Sequence, residues 1–160
     1  MKKLTLLAAV FGLAVAAHAQ APLGLPIKAL GYDVTWNQVS ARVGLSQNTN
    51  LDLGVNLGYD DTQASDKFGY GVSAIYLVNL HNWGPVSTNL AGGVNLGKAV
   101  AVSDLGVKAL AAFQPEILLL DHILVSTRFG WELDVTPDVK LATVGQGVSI
   151  VTGANFKIVF

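Results

Sequence analysis

The chain contains no cysteine. Disulfides, thiolate metal sites and a lipid-modified N-terminal Cys are excluded together. Charge is scarce as well: 13% of the 160 residues are Asp, Glu, Lys or Arg, and the formal net charge is −1. Near-neutrality offers no electrostatic hold on nucleic acid, so no such partner is expected. Beyond the N-terminal leader no apolar run approaches the roughly 18 residues of a spanning helix; Ala74 to Val78 and Ala109 to Phe113 are typical of the longest. Yet 51% of the residues are hydrophobic, too many for a disordered chain. The length suits one domain.

The N-terminus carries an export label. Lys2 and Lys3 precede a short apolar core, Leu4 to Ala16, and Ala17-His18-Ala19 gives a small-x-small cleavage pattern. Residues 1–19 are therefore expected to be a cleaved signal peptide, residues 20–26 a short periplasmic leader punctuated by Pro22 and Pro26, and residues 27–160 the folded domain. An exported chain this apolar, without a spanning helix, needs a place for its apolar surface.

Period-two alternation supplies one. It predicts strands over Ile27–Val34, Val39–Leu45, Leu51–Tyr59, Phe68–Leu80, Val86–Gly97, Leu105–Gln114, Ile123–Leu133 and Gly147–Phe160. Pro115 to His122 reads as a strand end and tight turn, with Ile117 to Leu120 able to extend either neighbour. Turn residues separate the strands at Gln47–Asn50 and His81–Gly84, and Asp60–Lys67 and Asp134–Gln146 are longer connections. Eight is an even count, as single-chain outer-membrane barrels require.

Alternation alone leaves open whether the apolar face points to a soluble core or to lipid. Of the twelve aromatic residues beyond the leader, ten share the apolar parity, while Trp36 and Trp83 fall in connections. Tyr32, Tyr59, Phe68, Tyr70 and Trp131 sort toward outer strand ends, and Tyr76, Phe113, Phe156 and Phe160 toward periplasmic ends; Phe129 completes the ten. Two aromatic girdles are what bilayer interfaces select. The opposite face is rich in Gly, Ser and Asn and carries Asp33, Arg42, Asp52, Lys108, Arg128, Glu132 and Lys157. Such charges are costly in lipid and are expected inside the barrel, Arg42 pairing with Asp52 diagonally across neighbouring strands and Arg128 pairing with Glu132 or its neighbours.

The fold class expected is an all-β membrane protein, an eight-stranded antiparallel up-and-down transmembrane β-barrel. The pattern resembles the small outer-membrane barrel superfamily of the OmpA transmembrane domain, OmpX and OmpW. The residues carrying the resemblance are the signal peptide, the alternating strands, VSARVGLSQNTNLDLGVNLGYD, PEILLLDHILVSTRFGWEL and the terminal FKIVF. In that ending Phe156, Ile158 and Phe160 resemble the signal read by the outer-membrane barrel assembly machinery, so deletion of Phe160 should damage assembly first. The resemblance implies a bacterial outer-membrane location, with membrane lipids, the assembly machinery and periplasmic chaperones as partners, and a monomer. It implies a structural or surface-interaction role; the alternatives are a narrow channel for small or apolar solutes and an outer-leaflet lipid-modifying enzyme.

Candidate chemistry is thin. Asp121-His122 with Ser126 invites a hydrolase reading, but a turn His supplies neither a dry cleft nor a positioned nucleophile. His81 and His122 lack the Cys or carboxylates of a metal site, and Asp60, Asp61 and Asp66 read as a solvated loop. No catalysis, cofactor or metal is expected.

Overall fold

In a computed structural model of the chain, the described residues are 26–60, 62–63, 67–99, 105–135 and 148–160, without the side chains of 135 and 148–152. The expected signal peptide, most of the leader, Asp61, Asp66 and the Pro137 connection lie outside them. Eight strands run in order: β1 (Ile27–Asp33), β2 (Gln38–Gly44), β3 (Thr49–Tyr59), β4 (Phe68–Trp83), β5 (Val86–Lys98), β6 (Gly106–Leu119), β7 (Ile123–Val135) and β8 (Val148–Val159). Each pairs antiparallel with its sequence neighbours, and β1 pairs with β8 to close the barrel. This is an all-β, up-and-down, eight-stranded barrel.

The alternation dictates which way each side chain faces. On β3, Leu53, Val55, Leu57 and Tyr59 are exposed outward, while Asp52 is buried. On β4, Phe68, Tyr70, Val72 and Tyr76 are exposed while Ser73, Ile75 and Leu77 are buried. The parity is therefore inverted relative to a soluble protein, with large apolar groups outside and carboxylates and guanidinium groups inside.

The ends of the barrel differ. Short turns close one end: residues 45–48, the Gly84-Pro85 pair and residues 120–122. Both described termini, Pro26 and Phe160, lie at this turn end; β1–β2, β3–β4, β5–β6 and β7–β8 connect at the other, the loop end. The β4–β5 hairpin runs to Trp83↔Val86, past the expected turn at His81. A bulge after Asn79 re-phases the strand, and Gly84, at φ 59, with Pro85 makes a two-residue turn that any Cβ at position 84 would strain. Leu120 and Asp121 both adopt left-handed backbone, φ 52 and 61, and the His122 amide bonds the Leu119 carbonyl at 3.2 Å. That is a type I′ turn in which Asp121 tolerates the left-handed region but Leu120 does not favour it.

Strand β6 passes straight through Pro115. The Thr88↔Pro115 pairing with β5 persists, whereas the ladder to β7 breaks after Phe113↔Phe129 and resumes at Glu116↔Ser126 in the same register. A residue without N–H cannot serve that rung, so a one-sided gap replaces the expected strand end.

Candidate functional site

The interior holds the chemistry-bearing side chains. Arg42 on β2 faces Asp52 on β3 directly across the ladder, not diagonally. Its Nε and Nη2 donate to the two Asp52 carboxylate oxygens at 2.7 and 3.0 Å. Its Nη1 and Nη2 also donate to Glu116 of β6 at 2.8 and 2.7 Å, so one planar guanidinium bridges two carboxylates from opposite sides of the barrel. Lys157 on β8 lies 3.2 Å from Asp52 and donates to Ser40 at 2.6 Å. These two cations and two anions balance, as burial in low dielectric demands.

A second cluster sits beside the first. Arg128 on β7 is 0% exposed. It pairs with Asp33 at 2.9 Å, and not with the expected Glu132 or its neighbours. Glu132 stands further along β7 and pairs with Lys108 at 2.8 Å. Asn155, with its amide nitrogen turned to Asp33, donates to that carboxylate at 3.0 and 3.1 Å. Gln114 joins the clusters: its oxygen accepts from Arg128 Nε at 2.8 Å and its nitrogen donates to Glu116 at 2.7 Å. Arg42, Glu116, Gln114, Arg128 and Asp33 thus form one continuous polar path across the lumen.

Beside this path lies an apolar cluster of Trp36, Ile75, Leu77, Ala91, Leu110 and Ala112, all buried. Gly93 makes room for it, since a Cβ there would approach Ile75 to 2.9 Å and the Ala74 carbonyl to 2.6 Å. The cluster and the polar path together fill the section of barrel they occupy.

All seven sequence-derived lumen charges face inward, with Lys108 half-exposed near the loop end and 3.7 Å from Asp134 as well. Two members escaped sequence reading. Glu116 follows Pro115, which suggested that the strand had ended. Trp36 reads as a loop residue, yet the β1–β2 turn folds it inward, where its indole N–H donates to Glu132. The parity of Glu116 with Gln114 and Ala112 was the available signal.

The proposed girdle residues Tyr59, Phe68, Tyr70, Trp131, Tyr76, Phe113, Phe156 and Phe160 are all exposed on the outer face. Tyr59 and Phe68 pair in register with ring centroids 4.9 Å apart. Tyr32 is half-buried, its hydroxyl donating to the Asn37 side chain. Because β4 and β6 run on to Trp83 and Leu119, Tyr76 and Phe113 stand at mid-strand, not near strand ends, and Trp83 takes the turn-end position on β4. Phe156, Ile158 and Phe160, the proposed assembly signal, form one exposed stripe down β8.

The residues of the hydrolase reading are not arranged as a triad. His122 and Asp121 are exposed in the turn, whereas Ser126 is 2% exposed in the lumen and accepts from Gln114 at 3.4 Å. His81 is exposed and packs against Trp83 in a tilted arrangement, ring centroids 4.4 Å apart.

Fold and interior define a class: an eight-stranded up-and-down barrel of the transmembrane type, with an apolar outer face and a charged, packed lumen. Compared with family models, with curated proteins and with solved structures, the chain matches none.

Proposed function

We propose that the chain is an integral β-barrel of a bacterial outer membrane, with a structural or surface-interaction role and no catalysis. Residues 1–19 direct export; periplasmic chaperones and the barrel assembly machinery deliver the chain, which folds against outer-membrane lipids as a monomer. Its termini and short turns face the periplasm and its loops face outward.

The inversion of the two faces carries this reading. Leu57, Phe68, Trp131 and Phe160 are 70, 69, 65 and 71% exposed, while Arg128 and Asp52 are 0 and 2% exposed. Water would penalise so broad an apolar belt, and lipid would penalise the reverse arrangement. Strands β4 to β7 have 13 to 16 residues, beyond the about 9–11 a tilted strand needs to cross the hydrocarbon. The filled mid-lumen favours a non-conducting barrel over a narrow channel, as an eight-stranded interior is just wide enough for side chains.

Gel mobility before and after boiling tests the fold in detergent. A heat-dependent shift is expected, and its absence contradicts the reading. Planar-bilayer recording of the refolded protein should show no stable single-channel step; a reproducible step would instead favour the channel.

A further inference from the structure

Among the described residues, the lumen is filled at mid-height and opens into a cavity toward the loop end. One row across four strands, Asn56↔Gly71↔Gly97↔Gly106, places three glycines side by side on the inner wall. With Gly58↔Gly69 beyond them they leave a cavity of about 380 Å³, lined also by Asn37, Asn95 and Lys108. That volume is within the range of small-molecule sites, about 300–1,000 Å³. Its floor is polar and fixed: Gln38 donates to Asn95 Oδ1 at 3.2 Å and accepts from Ser73.

The wall's chemistry selects the ligand. Asn95 uses its oxygen on Gln38 and keeps its amide N–H groups free; Asn37 uses its oxygen on Tyr32 and keeps its own. Asn56 donates to the Trp36 carbonyl at 3.2 Å and keeps an acceptor oxygen free. Spare amide donors and an acceptor around one cup match hydroxyl groups, which both donate and accept. Lys108 on the wall is already paired with Glu132 at 2.8 Å and lies 3.7 Å from Asp134, so an anionic ligand gains little from it.

We propose that this cup binds a small, neutral, polyhydroxylated molecule, a monosaccharide or a comparable polyol, free or as the headgroup of a glycolipid. Only the cup's outward direction rests on the membrane reading; the binding does not. Gly106 offers a clean way to close it. A Cβ there meets only the Gly97 carbonyl, at 3.5 Å, an ordinary contact, so Gly106→Leu fills the cup without straining the sheet.

The test uses refolded protein in phosphocholine micelles, followed by amide NMR during titration with glycerol, D-glucose, N-acetylglucosamine, octyl glucoside and inorganic phosphate. Saturable shifts are expected at the Asn37, Asn56 and Asn95 side chains and the Gly71 and Gly97 amides with at least one sugar or polyol, and loss of those shifts in Gly106→Leu. Response to octyl glucoside alone assigns a lipid headgroup; response to glucose also assigns a free sugar. No saturable shift, shifts that survive Gly106→Leu, or tighter binding of phosphate would each overturn the proposal. Heat-dependent gel mobility of the same samples keeps this outcome separate from failure of the barrel reading.

Discussion

The two sides of the barrel wall are built differently. Strands β1 and β2 have seven residues each, whereas β4 has sixteen and β6 fourteen. The short wall turns polar groups inward, Asp33, Gln38, Ser40 and Arg42, all buried. The tall wall turns Ile75, Leu77, Leu110 and Ala112 inward at mid-height and glycine above them. Arg42 and Asp33 of the short wall therefore meet Glu116 and Arg128 from the other side, and neither wall could fill the lumen alone. Above the short wall, β3 beyond Val55 has no paired residue on β2, and β8 before Ala154 has none on β1.

The largest blow to this complementarity strikes the short wall. Arg42→Met leaves Asp52 and Glu116 facing each other with Lys157 alone, and should cost about 3–5 kcal/mol in urea unfolding from lipid vesicles. Adding Asp52→Leu to Arg42→Met restores the charge balance of Glu116 with Lys157 and should recover much of that loss; no recovery would mean that packing, not charge, sets the cost. On the tall wall Leu77→Ala removes a fully buried aliphatic side chain. A loss of about 2–5 kcal/mol is expected, measured the same way. On the outer face of the same wall, Val94→Arg puts a cation among lipid chains at the middle of β5, at about 2–4 kcal/mol if that face meets the bilayer midplane. A negligible cost in vesicles would argue that water, not lipid, covers the tall wall. The smallest effect belongs to the turn: Leu120→Asn with Asp121→Gly relieves two left-handed residues and should stabilise by about 0.5–1 kcal/mol.

Much of this architecture was legible in the chain. Strict alternation in Leu51 to Tyr59 and Phe68 to Val78 located strands whose bounds hold within a few residues, because a strand with one face outward and one in the lumen has no freedom to break period two. Inward charges were legible for the same reason. Partners were not: parity says that Arg128 faces inward but not how far the sheet is sheared, and it is the shear that delivers Asp33 to Arg128 and Glu132 to Lys108. Local cues misled where tertiary structure overrides them. Pro115 signals a strand end, yet its missing N–H is absorbed as a gap on one side of β6. Trp36 carries loop-like neighbours, and only closure of the barrel gives its ring an interior and its N–H the Glu132 carboxylate. The apolar lumen cluster was hidden because Ile75 and Leu77 sit in a run of hydrophobic residues on both faces.

The three tryptophans test the inversion of faces most directly. Trp131 and Trp83 are 65 and 58% exposed on the outer wall, and Trp36 is 7% exposed inside. Single-tryptophan variants refolded into vesicles of lipids brominated along the acyl chain report which rings touch hydrocarbon. The account predicts strong fluorescence quenching of Trp131, weaker quenching of Trp83 at the turn end and almost none of Trp36. Quenching of Trp36 with Trp131 left untouched would mean that the faces are reversed and the barrel is not a membrane barrel of this kind.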